Sequence, residues 1–177
     1  AYHGRIDKLF RASEYLISPE DDPAKFLQGQ YFLTPAQDQV KSQFLKDLAA
    51  ASSGAFFRIS GKPGTGKTLL IYDLAKTLSE RGRTLITCAE EPSDGLLSIS
   101  KAIENLDFIY VPHIASTERF EAYDFVLVDE ALRIDPGTFD IICDAAGIYE
   151  QTCIFCTDPA AALTETEKRN DIEGRID

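Results

Sequence analysis

Residues 61–68 read Gly61-Lys62-Pro63-Gly64-Thr65-Gly66-Lys67-Thr68 and satisfy every fixed position of the pattern G-x-x-x-x-G-K-[ST]. A chain that carries this octapeptide is confined to folds in which a strand ends, the backbone curls tightly, and a helix opens at the lysine. Both flanks agree. Ala55-Phe56-Phe57-Arg58-Ile59-Ser60 is a short apolar run with aromatic and β-branched residues, which suits a buried strand. Downstream, Leu70, Ile71, Leu74 and Leu78 recur at helical spacing up to Arg81, and Gly82 is the expected left-handed cap.

The residue types explain the chemistry. Glycines at 61, 64 and 66 let the backbone curl with no Cβ in the way, so successive N–H groups turn inward to meet phosphate oxygens. The helix beginning near Lys67 adds the positive end of its dipole. The octapeptide therefore reads as a phosphate-binding loop (P-loop), and its expected ligand is a nucleoside triphosphate, ATP, with Mg2+. Lys67 is expected to reach the β- and γ-phosphates, and the hydroxyl of Thr68 to take one place on the metal. Lys62, Pro63 and Thr65 fill variable positions of the cradle, with the Lys62 side chain in solvent. The bland alternative is a glycine-rich turn that merely caps a helix.

A second signal lies at Phe125-Val126-Leu127-Val128-Asp129-Glu130, four apolar residues running into two carboxylates. It reads as a buried parallel strand with acids at its carboxyl end. Ligands of open α/β sheets sit outside such strand ends, which lets Asp129 share a crevice with the P-loop. Asp129 is then the expected metal ligand, usually through water. Glu130 is the expected group to orient and deprotonate an attacking water. The bland alternative is a strand that ends in two solvated acids.

At 177 residues, 44% of them hydrophobic, the chain suits one well-packed domain. Formal charge is −11, and its distribution is uneven. Residues 1–60 carry seven basic and seven acidic groups; from 61 onward there are 11 basic and 22 acidic. No Lys or Arg falls between Arg133 and Lys168. Such a surface repels phosphate backbones, so nucleic acid is expected as a partner only through regions beyond this chain. No apolar run approaches membrane-spanning length and no signal peptide opens the sequence, so no membrane partner and a cytoplasmic location are expected. Cys88, Cys143, Cys153 and Cys156 fit a reducing compartment. Cys153 and Cys156 have C-x-x-C spacing, but in an apolar strand positions three apart face opposite ways, which favours buried thiols over a metal or redox pair.

Along the chain, strands are expected at 55–60, 83–88, 108–111, 124–128 and 152–156. Helices are expected at 35–50, 67–81, 96–105, 136–146 and 165–172, with Pro136 in the first turn after Asp135 and Gly147 ending that helix. Alternation of this kind predicts an α/β fold, a mostly parallel sheet of about five strands with helices on both faces. Residues 1–30 are expected to form a helical extension packed on the core, with Ile6, Leu9, Phe10, Leu16 and Ile17 on one face and Ser18 to Pro23 breaking the chain. Residues 31–177 form the nucleotide-binding domain.

Thr34-Pro35-Ala36-Gln37 supports two readings. As a capping box, Thr34 accepts from the third helical N–H while Gln37 reaches back to the cap. As a nucleotide reader, Gln37 would present its amide to an adenine edge. Taken together, Leu33 to Gln37, the P-loop ending Gly64-Thr65-Gly66-Lys67-Thr68, and Val128-Asp129-Glu130 resemble superfamily 1 helicases, and look still more like the helicase-related ATPases of unknown function that include the Schlafen-type proteins. The similarity spans roughly residues 30–172. It implies a RecA-like first motor domain and a Gln37 that reads adenine.

The pattern departs from that family in two places. A small-Asp-x-x-Gln motif is implied at the end of a strand, and Cys156-Thr157-Asp158-Pro159-Ala160-Ala161 supplies the aspartate but has Ala161 at the glutamine position. Thr157 or Asp158 is left to sense phosphate, or Asp158 caps the next turn. A second RecA-like domain with a finger arginine is implied after residue 177, and no arginine of this sequence has motif support for that role; Arg119 and Arg133 flank the acidic strand. The expectation is thus an ATP-hydrolysing domain. Its rivals are a nucleotide-gated module for a protein partner and a P-loop kinase.

Overall fold

The computed structural model describes residues 17–158 and 172–176. The expected helices at the N-terminus and at 165–172 therefore lie outside the described residues, apart from Ile17 and Ile172. Within them, chain order runs α1 (Pro23–Leu27), α2 (Pro35–Ala50), β1 (Phe56–Ser60), α3 (Lys67–Ser79), β2 (Thr84–Cys88), α4 (Asp94–Ala102), β3 (Leu106–Tyr110), β4 (Phe125–Val128), α5 (Pro136–Tyr149), β5 (Thr152–Thr157) and α6 (Ile172–Ile176). Short 3-10 turns follow β3 and β4, at Val111–His113, Thr117–Phe120 and Ala131–Arg133.

Five strands form one sheet in the order β1-β5-β4-β2-β3, and every pairing is parallel. Parallel strands need crossovers, and right-handed crossovers fix which face each helix covers. From β1 the chain moves across the sheet to β2, and from β4 it moves the opposite way to β5, so α3 and α5 must cover opposite faces. The core divides accordingly. One cluster joins Leu70, Ile71 and Leu74 of α3 to Phe44, Ile86, Leu96, Leu127 and Ile154. The other joins Phe139, Ile142 and Ala146 of α5 to Leu85, Val126, Val128, Phe155 and Ile172. The result is the expected α/β class, a parallel sheet covered on both faces, in an arrangement consistent with a RecA-like fold.

Alternation along single strands explains the cysteines. Cys153 packs in the α5 cluster and Cys156 in the α3 cluster, so the C-x-x-C pair straddles the sheet. Burial pushes the Cys88 and Cys153 thiols up to about 12. All four cysteines are free thiols.

Four local expectations need correction. Gly82 is not a left-handed cap, because α3 stops at Ser79 and Gly82 keeps a negative φ. Its missing Cβ makes room for the Asp124 carboxylate, which accepts the Arg83 N–H at 2.8 Å. Gly147 does not end α5; it lies exposed within the helix, which runs on to Tyr149 and closes with Glu150 at φ 53°. There, the buried Gln151 donates its amide to the Phe120 and Tyr123 carbonyls and forces the chain to turn. Strand β3 begins two residues early, at Leu106, because Asp107 is held by Arg83 (3.3 Å) and Tyr123 (3.1 Å). Finally, Pro23 starts a helix instead of only breaking the chain, since its fixed φ suits a first turn.

The described part of the N-terminal segment contributes Ile17 and Phe26 to the α3 cluster. Phe26 stacks on Tyr31 at 5.3 Å, meets Tyr72 edge-on, and lies under the Lys76 ammonium. Nearby, the buried Asp73 of α3 accepts from Tyr31 Oη and Lys41 Nζ, both at 2.6 Å, tying α3 to α2 and to the irregular segment before it. Asp73→Ala leaves both donors without their acceptor and is expected to cost about 2–4 kcal/mol. Chemical denaturation measures it; a loss below about 0.5 kcal/mol would show that this clasp does not secure α3.

Candidate phosphate-binding cleft

Because β1 and β4 send their helices to opposite faces, a crevice opens at their carboxyl ends, over the end of the intervening β5. A cleft of about 370 Å³ lies there. Gly64, Gly66, Lys67 and Thr68 line it from the loop after β1 and the start of α3, Asp129 and Glu130 from just past the end of β4, Cys156 from β5 and Asp158 from just past its end. The two sequence motifs, on strands that do not touch, share one cavity.

The loop's shape follows from its glycines. Gly64 and Gly66 have φ of 73° and 74°. Gly66 is the N-cap of α3, and a Cβ there would collide with the Gln37 amide as well as strain the backbone. Elsewhere, side chains cap the long helices: Thr34 for α2, Ser93 for α4 and Asp135 for α5. A glycine cap offers no such acceptor, so the first N–H groups of α3 keep their capacity to bind an anion. Thr65 Oγ1 donates to the Lys62 carbonyl at 2.8 Å and closes the turn, while the Lys62 side chain is exposed as expected. Pro63 also lines the cleft.

Lys67 Nζ donates to the same Lys62 carbonyl (2.9 Å) and to Asp158 Oδ2 (3.1 Å). Asp158 is therefore a cleft residue in ion-pair contact with the loop lysine. Thr157, the other residue weighed on this strand, is fully buried; its hydroxyl accepts from Arg58 Nε at 3.2 Å and its carbonyl from the Gly61 N–H. That makes Thr157 a strut between β5 and the start of the loop.

Asp129 is partly buried, and its Oδ1 accepts the Glu130 N–H at 2.9 Å. Burial holds its carboxyl above the usual carboxylate range, opposed by that N–H, while the Glu130 charge adds to the rise; the Cys156 thiol donates to it as well. Glu130 adopts the left-handed conformation, φ 49° and ψ 44°, which is uncommon for a residue with a side chain and recurs at functional sites. Its carboxylate meets Arg133 Nη1 at 2.9 Å. Arg133 lines the cleft, a placement to which no motif pointed. The 3-10 turn of residues 131–133 folds it back beside Glu130.

Gln37 serves in the capping box and makes a further contact that neither reading anticipates. The capping box is complete: Gln37 N donates to Thr34 Oγ1 (3.3 Å) and Thr34 N to Gln37 Oε1 (2.7 Å). In addition, Gln37 Nε2 donates to the Thr65 and Gly66 carbonyls, each at 3.0 Å. The amide thus braces the P-loop from outside. A role in reading adenine rests on the resemblance alone. Beside this brace lies a larger apolar cavity of about 730 Å³, lined by Gln37, Val40, Ile59 and the outer side of the loop.

Among the described residues, no group of three or more His, Cys, Asp or Glu side chains is arranged to hold a metal ion. None of the described helices is long and apolar enough to cross a membrane. Comparison with protein-family models and with curated proteins found no match to this chain.

Proposed function

We propose that this chain binds Mg-ATP in the P-loop cleft and hydrolyses it, in the manner of the first RecA-like motor domain of a superfamily 1 helicase-like ATPase. The observation that carries the reading is the convergence of Lys67 and Thr68 with Asp129 and Glu130 on one cavity, although they come from strands separated by β5. A turn that merely capped a helix has no reason to face an acidic strand end across a cleft.

The donor set suits magnesium. Thr68 and Asp129 offer hard oxygen ligands, and so small a protein share fits an ion that keeps several waters and phosphate oxygens. Asp129 also fits by its setting, since a carboxyl strained by burial gains from a nearby cation. When bound, the ion would neutralise charge on the phosphates. The chain's own residues do the rest. Backbone amides of the loop hold the phosphates, Lys67 pairs with them, and Glu130 orients and deprotonates a water. In the ligand-free cleft Glu130 is held by Arg133, so taking up a water requires that contact to loosen.

Asp129→Asn tests the metal assignment through stability. Removing a partly buried charge whose carboxyl is already held above the usual range is expected to leave the ligand-free protein at least as stable as the wild type. The same variant should lose most of the thermal stabilisation that Mg-ATP gives the wild type. A variant that is as well stabilised by Mg-ATP as the wild type removes Asp129 from the site. The ion pairs that occupy Lys67 and Glu130 also support a second reading, in which ligand entry reorganises the cleft and gates a surface for a protein partner. The two readings part on phosphate release in the presence of Mg-ATP.

A further inference from the structure

The Lys67 ammonium is already engaged, by the Lys62 carbonyl at 2.9 Å and by Asp158 at 3.1 Å. The ion pair is well shielded, with the two side chains 16% and 19% exposed. Asp158 follows the last residue of β5, the strand between the P-loop strand and the acidic strand, so its carboxylate enters the cleft between them. A polyanion seated in the loop has to take the ammonium that Asp158 now holds.

The charges lining the cleft decide which ligands succeed. Among the described residues, Asp129, Glu130 and Asp158 face Lys67 and Arg133, three formal negative charges against two positive. A bare polyphosphate must displace Asp158 and then share the cavity with three carboxylates, and like charges at such separations are costly where water is scarce. A polyphosphate that arrives with a divalent cation brings two positive charges, so the displaced carboxylate faces a largely neutralised ligand. We propose that Asp158 is a specificity-determining residue: by holding Lys67 it makes the cleft select metal-bound polyphosphate over the bare anion. The inference rests on the nucleotide-binding reading above and assigns the selectivity of that site to one side chain.

Equilibrium titrations of the whole chain with ATP and with inorganic tripolyphosphate, each in Mg2+ and in EDTA, test it. The wild type should prefer the Mg2+ form of each ligand by at least about 30-fold. Asp158→Asn should bind the bare ligands about tenfold more tightly than the wild type, narrowing that preference to under about fivefold. Asp158→Glu, which keeps the charge, should retain the wild-type ratio. An unchanged ratio in Asp158→Asn, or an equal loss of both ligand forms, overturns the proposal. Should that variant fail to melt cooperatively, Asp158→Ser makes the same comparison. Lys67→Ala separates the two levels: loss of every ligand keeps the nucleotide reading, whereas wild-type binding in that variant overturns the reading itself, whatever Asp158 does.

Discussion

Lys67→Ala is expected to abolish useful binding of Mg-ATP, weakening it by about 100-fold or more, because charge-assisted contacts to phosphate contribute roughly 1.5–3 kcal/mol each. Two effects add. The ammonium that pairs with the phosphates disappears, and Asp158 loses its ion pair with Lys67. The Asp158 carboxylate then lies beside the phosphate seat without the lysine's charge against it. The double variant Lys67→Ala/Asp158→Ala separates these contributions: it should recover part of the loss if that carboxylate repels ligand. Calorimetry reads both variants, and intact affinity in Lys67→Ala would count against the loop as a phosphate site. The fold should survive, since the lysine lies at the start of α3 and outside the packed face formed by Leu70, Ile71, Leu74 and Leu78.

Glu130→Gln is expected to separate binding from chemistry. The amide keeps the size of the side chain and removes the base, so Mg-ATP should still bind while turnover falls by roughly 100- to 10,000-fold. The wild-type chain alone should itself turn over slowly, since among its described residues Arg133 is the one arginine lining the cleft, and it is paired with Glu130. Single-turnover release of phosphate, measured with nucleotide saturating, reads the effect. Unchanged turnover in the variant removes Glu130 from the mechanism. The Glu130–Arg133 pair is half-exposed, so its loss should hardly alter stability, and a shift in rate is then attributable to chemistry. Phosphate appearing on an acceptor metabolite, with none released free, would instead select a kinase.

The strands and helices that shape the cleft were legible because their signals are local. Apolar runs such as 125–128 and the helical spacing of Leu70, Ile71, Leu74 and Leu78 state their own period, and the P-loop states its own turn. The same locality explains the errors. Gly82 and Gly147 look alike as helix punctuation, yet one accommodates a carboxylate from a distant loop and the other simply sits on an exposed helical face. In the cleft, the motif residues are named from sequence, and so are Gln37 and Asp158, but not the contacts that tie these two to the loop. Asp158 lies 91 positions from Lys67, and Gln37 is 28 positions from Thr65, so neither contact leaves a spacing to read. Arg133 was within reach of a local reading, as the i+3 neighbour of Glu130. What hid it was the left-handed turn at Glu130, which no residue type there announces.

Crystals of the chain grown with Mg2+ and a non-hydrolysable ATP analogue test the central claim most directly. The phosphates should lie against the amides of residues 64–68, with Thr68 and Asp129 both holding one ion, directly or through water, and Lys67 released from Asp158. Phosphates bound elsewhere, or an ion that ignores Asp129, would contradict the account.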